Sequence, residues 1–213
     1  MEPTYDCVIV ANGRFPSAPL PLEELRKATA LIVCDGAICK IHEAGLEPLA
    51  VIGDLDSIPP ELHNLYAEKI HSSADQETND LTKAVRFVRQ AGFRRPLILG
   101  ATGLREDHTL GNISLLIEYA ELFDRIEMLS DYGLFTPLLH SATLTSNPGQ
   151  QISLFSLHPG GEITTQGLRW EVTARQFTNW WQGTLNQALG AEFTLTLDQG
   201  AQVVVYRALV DFK

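Results

Sequence analysis

Three acid-bearing stretches of the sequence contain the residue types that bind a divalent cation and a phosphate together. They are Gly53–Ser57, Asp75–Lys83 and Gly100–His108. Carboxylate oxygens suit Mg²⁺, and a bound Mg²⁺ bridges readily to phosphate oxygens. Loops at the carboxyl ends of strands in an open α/β sheet form its usual ligand crevice. We therefore expect the three stretches to converge on one magnesium–polyphosphate site.

The first stretch carries Asp54 and Asp56, directly after an apolar run. In an extended backbone, residues i and i+2 project from the same side, so the two carboxylates are expected to share a cation or its water shell. The structural alternative is an aspartate-rich turn that only ends a strand.

The second stretch places Asp75, Gln76 and Glu77 ahead of a helix that contains Asp80 and, one turn later, Lys83. An acid at a helix start complements the helix dipole, and this alone would explain Asp80. It does not explain Asp75 and Glu77, because such a density of acids is repulsive unless a cation or solvent relieves it.

The third stretch combines Gly100 and Gly103 with Arg105, Asp107 and His108. Glycines let backbone amides approach an anion at a helix start, and an arginine offers a forked donor to phosphate. The chain has neither a Gly-x-x-x-x-Gly-Lys-Ser/Thr loop nor a Gly-x-Gly-x-x-Gly turn. An ordinary P-loop or dinucleotide site is therefore excluded.

The elements that must position these stretches begin with short, continuously apolar strands. The predicted strands of the first half are Asp6–Ala11, Ala30–Cys34, Leu49–Ile52, Leu97–Gly100 and Arg125–Leu129. Such runs are typical of a parallel sheet that is covered on both faces. Helix-period segments predict helices over Leu22–Thr29, Thr78–Gln90 and Thr109–Leu122. Thr78 or Asn79 is the expected N-cap of the second helix.

The second half has no helix-length periodic segment, and its predicted strands are separated by turn residues. They are Leu134–Leu139, Ala142–Ser146, Gln151–Leu157, Phe193–Asp198 and Gln202–Arg207. We therefore predict an α/β domain with a mostly parallel, Rossmann-like sheet over residues 1–131, followed by a small all-β sandwich domain over residues 132–213.

The overall charge narrows the class of partner. A net charge of −10 and a pI of about 5.0 oppose binding to nucleic acid or to an anionic membrane, and favour a nucleotide bridged by metal. The N-terminus lacks a signal-peptide pattern, and free buried thiols are expected at Cys7 and Cys34, so the predicted location is the cytoplasm. The histidines His42, His63 and His71 lack metal-ligand spacing and are expected at the surface.

Taken in order, these strings resemble those of the thiamine pyrophosphokinase family. The family pattern is Gly-Asp-x-Asp-Ser, then Asp-Gln-x-x-x-Asp-(Leu/Phe)-x-Lys-Ala, then Gly-Gly-Arg-x-Asp-His-x-x-x-Asn. It corresponds here to Gly53–Ser57, Asp75–Ala84 and Gly103–Asn112. The resemblance continues at Asp35-Gly36 and at Gly183–Asn186, and so spans nearly the whole chain.

The resemblance implies an enzyme that uses ATP and Mg²⁺ to diphosphorylate thiamine, and a homodimer with active sites between subunits. It assigns Asp54, Asp56, Asp80 and Asp107 to the metal. It assigns a catalytic role to those four aspartates together with Asp75, Gln76, Lys83 and Arg105. Expected near ATP are Asn12, Asp35, Gly36, Thr78, Arg105, His108 and Asn112. Expected near thiamine are Trp170, Trp180, Trp181, Thr184 and Asn186, because an aromatic face attracts a flat cation; the alternative for any single tryptophan is core packing.

Three positions depart from the family pattern. Ala37 and Leu104 stand where the family usually has glycine, and Leu185 stands where it usually has serine. Diphosphate transfer to another heteroaromatic alcohol, such as a hydroxymethylpterin, and a Mg-nucleotide or thiamine sensor without turnover are therefore the alternative functions.

Overall fold

A computed structural model describes residues 4–72, 75, 77–156, 160–198 and 200–209 of the chain. The chain divides into two compact units. The first unit comprises Met1–Ile113 and Leu122–Asp131, and the second comprises Ser114–Glu121 and Tyr132–Lys213.

The first unit is built on a parallel sheet. Its strands are β1 (Cys7–Val10), β2 (Leu31–Cys34), β3 (Ala50–Gly53), β4 (Ile70–Ser72), β5 (Pro96–Leu99) and β6 (Glu127–Leu129). They lie in the order β6-β5-β1-β2-β3-β4, and each neighbouring pair is parallel. All residues of β1, β2, β3 and β5 are buried, as expected for strands that are covered on both faces.

Among the described residues, five helices belong wholly or mainly to the first unit. They are α1 (Pro19–Lys27), α2 (Ile38–Glu43), α3 (Pro60–Leu65), α4 (Asp80–Gln90) and α5 (Glu106–Ser114). A 3-10 helix, Asp35–Ala37, leads into α2. The strongly amphipathic α4 buries Leu81, Ala84, Val85 and Val88 and packs on β1, β2 and β3. Its first turn is thereby fixed beside the carboxyl ends of these strands.

Two of the predicted helices differ from the observed ones. The first begins at Pro19 rather than Leu22, because proline is well tolerated in a first helical turn. The helix predicted over Thr109–Leu122 is two helices, α5 and α6 (Leu116–Ala120). The weak helix formers Gly111, Asn112 and Ser114 precede the interruption. None of the residues of α5 is buried, and Leu110 is exposed.

The second unit contains α6 and two groups of antiparallel strands. One group has the order β11-β9-β13-β7, and the other has the order β10-β12-β8. The strands are β7 (Gly133–Leu138), β8 (Ala142–Thr145), β9 (Gln151–Ser156), β10 (Ile163–Gln166), β11 (Asn186–Gln187), β12 (Glu192–Leu197) and β13 (Val203–Ala208).

The core of the second unit combines side chains of both strand groups. Leu154 and Val205 come from one group, and Ile163, Phe193 and Leu195 come from the other. Alternate residues of β12 are buried, as its strict alternation predicts. The α/β fold followed by an antiparallel β-sandwich is therefore confirmed.

The sequence did not predict β4, β10, β11, α2 or α3, which are all short. In the described part of the chain, every helix is too short or too polar to cross a bilayer. All three cysteines are free, and the expected burial of Cys7 and Cys34 is confirmed.

Candidate active site

A cleft of about 420 Å³ opens at the carboxyl edge of the parallel sheet. It is lined by loops that follow β1, β2, β3 and β5 and by the first turns of α4 and α5. Strand β1 lies between β5 and β2, so the chain leaves β1 in one direction and returns on its other side. Loops on the two sides of such a switch point diverge, and their divergence leaves room for a ligand.

A group of three carboxylates lies on the β2 and β3 side of the cleft. Asp35, Asp54 and Asp56 each present an oxygen within 4.8 Å of the others. Asp35 is only 4% exposed, whereas Asp54 and Asp56 are exposed. Buried Oδ1 of Asp35 has no hydrogen-bond partner among the described residues. An oxygen buried in this way is costly unless a further group binds it.

The two aspartates of the first acidic stretch converge by a different route from the predicted one. The backbone is not extended here, because β3 ends at Gly53 and Leu55 has a φ of 74° in the left-handed region. A turn therefore brings the amide of Asp56 to 3.5 Å from Oδ1 of Asp54. Gly53 lies so close to Asp35 that a Cβ on it would be 2.7 Å from the Asp35 Cβ. The absent side chain lets the two acidic turns approach.

Asp35 is held in an electrostatically unfavourable place. Burial, followed by repulsion from Asp80 and Asp54, raises its pKa from 3.8 to about 6, although the Ser57 hydroxyl opposes the shift. Its backbone is also unusual, with a φ of 25°. The carboxylates therefore repel one another in the absence of a cation.

The first turn of α4 contributes Asp80 and Lys83. Lys83 is 7% exposed and its Nζ lies 3.0 Å from Oδ1 of Asp80. Asn79 is the N-cap, as predicted, and its Oδ1 accepts a hydrogen bond from the Thr82 amide at 2.8 Å. The cleft therefore contains a buried ammonium that is paired with Asp80.

The third stretch brings Arg105 and His108 to the cleft but turns Asp107 toward Arg105. The Arg105 Nε and Nη2 atoms lie 3.1 and 2.5 Å from the two oxygens of Asp107. These hydrogen bonds, followed by one from the His108 amide, lower the pKa of Asp107 to about 2. The structure does not place Asp107 in the group of Asp35, Asp54 and Asp56.

Asp75 does not line the cleft either. Its carboxylate accepts hydrogen bonds from the Thr78 hydroxyl and the Glu77 amide, which lower its pKa, and it pairs with Arg86 at 3.2 Å. Its contacts are those of a turn that precedes a helix. Gln76 lies outside the described residues.

Not all of the remaining residues predicted near ATP line the cleft. Asn12, Thr78 and Asn112 line the cleft, whereas Gly36 does not; a Cβ on Gly36 would be 2.6 Å from Nδ2 of Asn12. The cleft is also lined by Cys34, Ser57, Thr102 and Thr109, which are not among the predicted site residues. The position of Thr109 in the cleft could have been predicted, because residues 105, 108, 109 and 112 have the spacing of one helix face.

The residues predicted for thiamine all belong to the second unit, where Trp170 and Thr184 lie in loops and Asn186 is the first residue of β11. Trp170 and Trp181 are 56% and 72% exposed, and Trp180 is 38% exposed beside Phe155. Trp180 and Trp181 begin a 3-10 helix, Trp180–Gly183. The Thr184 hydroxyl donates to the Trp181 carbonyl at 2.8 Å.

The side chain of Asn186 forms hydrogen bonds to both backbone polar groups of Trp170. Its Oδ1 accepts from the Trp170 amide at 3.1 Å, and its Nδ2 donates to the Trp170 carbonyl at 2.7 Å. The guanidinium of Arg169 lies 5.1 Å from the centre of the Trp170 ring. One cation therefore already lies over this ring.

The three departures from the family pattern have different structural effects. Ala37 has an ordinary helical φ of −62° and needs no glycine. Leu104 lines the cleft and is exposed, while the left-handed position is taken by Gly103 with a φ of 89°. Leu185 does adopt a left-handed φ of 60° and is 75% exposed. Only the third departure places a bulky side chain in a strained backbone conformation.

Comparison with known proteins identifies relatives over both units. The family model described as thiamin pyrophosphokinase, catalytic domain, matches residues 22–129, and the model of the substrate-binding domain matches residues 133–206. Thiamine pyrophosphokinase 1 of Oryza sativa subsp. japonica is 34% identical, with 78% of this chain and 73% of that protein covered.

Two solved structures share the fold. The thiamin pyrophosphokinase of Geobacillus thermodenitrificans has a TM-score of 0.80 and 21% identity, covering 97% of this chain and 98% of that one. The thiamine pyrophosphokinase of Bacillus subtilis has a TM-score of 0.81 and 19% identity, covering 96% of this chain and 99% of that one.

Proposed function

Because the chain belongs to the thiamin pyrophosphokinase family, we propose that it transfers the diphosphate of ATP to the hydroxyethyl group of thiamine, giving thiamine diphosphate and AMP. The carrying observation is one cleft that holds three clustered carboxylates together with a buried lysine and an arginine. Such a set suits a metal-bridged polyphosphate better than a lysine-rich phosphate cradle.

The residues fit Mg²⁺. Asp35, Asp54 and Asp56 would hold it, and the buried Oδ1 of Asp35 would gain the partner that the described residues do not provide. Asp80 lies close enough to raise the pKa of Asp35 and would add negative charge to the site. When bound, Mg²⁺ neutralises charge on the phosphate oxygens. Asp107 is left out of this metal set, because its oxygens accept hydrogen bonds from Arg105 and His108.

In the proposed reaction, the thiamine hydroxyl oxygen forms a bond to the β-phosphorus of ATP. The bond between that phosphorus and the oxygen bridging to the α-phosphorus breaks, and AMP leaves with the bridging oxygen. Lys83 and Arg105 both line the cleft. They would stabilise the negative charge on the transferred and leaving phosphates.

The hydroxyl proton must be accepted as the new bond forms. Asp80 and Asp107, which lie in the first turns of α4 and α5, are two candidate acceptors of this proton. Asp107 is a poor base, since its pKa is about 2 and Arg105 holds both of its oxygens. Asp80 lines the cleft, and its contact with Lys83 involves one oxygen, Oδ1, so it is the better candidate of the two.

The second unit is proposed to bind thiamine, and two copies of the chain are proposed to form a homodimer with active sites between subunits. Both proposals are supported by exposed apolar side chains in the second unit, namely Trp170, Trp181, Leu185 and Leu189. Sedimentation of the purified protein tests the dimer.

We also propose that the protein acts in the cytoplasm, where its cysteines would stay reduced.

A product assay by mass tests the function. Purified protein is incubated with ATP, Mg²⁺ and thiamine, and we expect equal amounts of AMP and thiamine diphosphate. Parallel reactions without thiamine, and with a hydroxymethylpterin in its place, test the alternative functions. AMP release that does not depend on thiamine would refute the substrate, and tight binding of ATP without any AMP would favour the sensor.

A further inference from the structure

Two asparagine side chains connect the opposite sides of the cleft. Nδ2 of Asn79 donates to Oδ1 of Asn112 at 3.2 Å. Asn79 is the N-cap of α4, next to Asp80, whereas Asn112 lies on α5, one turn after His108 and on the same face of the helix. The Asn79–Asn112 pair therefore joins the side that carries the acid and the lysine to the side that carries the arginine.

The other end of each amide is also fixed. Oδ1 of Asn79 accepts hydrogen bonds from the amide and the hydroxyl of Thr82, both at 2.8 Å. Nδ2 of Asn112 donates to the carbonyl of Ala101 at 2.8 Å, in the loop after β5. Three segments, namely the start of α4, the helix α5 and the loop after β5, are thus connected by two side chains.

These contacts determine which way each amide points. The Thr82 amide is a donor, so it requires the oxygen of Asn79 and leaves the Asn79 nitrogen for Asn112. The Ala101 carbonyl is an acceptor, so it requires the nitrogen of Asn112 and leaves the oxygen for Asn79. Rotating either amide by half a turn would oppose two donors or two acceptors. Capping alone does not require this, because serine caps a helix as well as asparagine does.

We propose that the Asn79–Asn112 pair is a positioning device, which fixes the distance between the Asp80–Lys83 side and the Arg105 side of the cleft. Asn112 thus acts through other residues, and not as the ATP contact that the family resemblance suggested. The inference rests on the proposed function, because the two sides must act together on one polyphosphate. Misplacement of a catalytic group by about 1 Å can cost up to 100-fold in rate.

Two variants break the pair from opposite ends. Asn79→Ser keeps an oxygen for the Thr82 amide but is too short to reach Asn112, and Asn112→Ala removes the other partner. Each is expected to lower kcat about tenfold, with KM for Mg-ATP changed less than about threefold. The melting temperature of Asn79→Ser should stay near that of the wild type, because the cap remains. Asn64→Ser, an exposed position on α3, is the matched control.

The double variant distinguishes a pair from two separate contacts. If the asparagines act as one device, Asn79→Ser/Asn112→Ala loses no more activity than the worse single variant. Losses that multiply would overturn the proposal, and so would an unchanged kcat in Asn79→Ser. A raised KM with an unchanged kcat would also overturn it, since that result indicates direct binding of ATP.

Amide hydrogen exchange tests the device without any reaction. Asn79→Ser should speed exchange by about threefold or more in residues 101–105, which serine at position 79 does not touch. An inactive wild type with this exchange pattern would refute the proposed function and leave the positioning device supported. An active wild type whose 101–105 exchange is unaffected by Asn79→Ser would refute the device alone.

Discussion

Replacement of Asp35 by asparagine should stabilise the metal-free protein while weakening its response to Mg²⁺. Asp35 is buried, and its pKa is raised from 3.8 to about 6 by burial and by the neighbouring acids. Asparagine removes the charge and keeps the shape of the side chain. It also tolerates the left-handed backbone that position 35 adopts, with a φ of 25°.

The size of the effect follows from the pKa. One pKa unit corresponds to about 1.4 kcal/mol, so a rise from 3.8 to about 6 corresponds to roughly 3 kcal/mol. The folded protein holds this proton more tightly than the unfolded chain does. The contribution is therefore fully present below pH 3.8 and is lost as the pH rises through about 6. Asparagine at position 35 carries no such loss, so the variant should gain most at pH 8.

Urea unfolding in EDTA, at a series of pH values from about 4 to 8, measures this difference. We expect Asp35→Asn to exceed the wild type by about 2–3 kcal/mol at pH 8 and by little at pH 4. Added Mg²⁺ should then stabilise the wild type by mass action and the variant much less. Glu68→Gln, which changes an exposed acid, should stay within about 0.5 kcal/mol of the wild type. If Asp35→Asn is no more stable than the wild type at pH 8 in EDTA, the inferred repulsion is absent.

Three further predictions concern the proposed roles in the cleft and in the second unit. Asp54→Asn should lower thiamine diphosphate formation at least about 100-fold in the mass assay and abolish the melting shift caused by Mg²⁺, while the metal-free melt is unchanged or raised. Asp107→Asn should also lower turnover, because the bidentate contact to Arg105 is lost, but it should keep the melting shift caused by Mg²⁺. Loss of that shift would indicate that Asp107 is a metal ligand after all. Asn186→Ala should raise KM for thiamine about tenfold by releasing the backbone of Trp170, with KM for Mg-ATP unchanged, and an equal rise in both constants would count against this role.

The sequence predicted the strands that carry the site better than it predicted the path of the chain between them. Continuous apolar runs are a strong signal, and the ends of β1, β2, β3 and β5 lie within one residue of their predicted positions. The convergence of Asp54 and Asp56 was expected from an extended backbone, yet it depends on a left-handed Leu55. No residue preference signals such a leucine, because leucine rarely adopts that conformation.

The family resemblance implied that Asp35 lies near the nucleotide, but neither it nor the residue pattern gave a reason to group Asp35 with Asp54 and Asp56. Its proximity to them depends on the pairing of β2 with β3, which is a long-range contact. The contact between Asp107 and Arg105 is equally invisible in a motif, since the spacing alone is compatible with a metal ligand. The elements that were missed, such as β11 and β10, have only two and four residues and form through pairing rather than through local preference.

Unusual backbone conformations are concentrated in the loops with proposed functions. The described residues include four non-glycine positions with positive φ, namely Asp35, Leu55, Ala174 and Leu185. The first two form the turns that bring the carboxylates together, and Leu185 lies between Thr184 and Asn186 in the loop proposed for thiamine. Each such position costs on the order of 1–3 kcal/mol and persists only where the surrounding structure enforces it. The turns at Asp35 and Leu55 therefore combine backbone strain with repulsion between neighbouring carboxylates. A bound cation would relieve the repulsion.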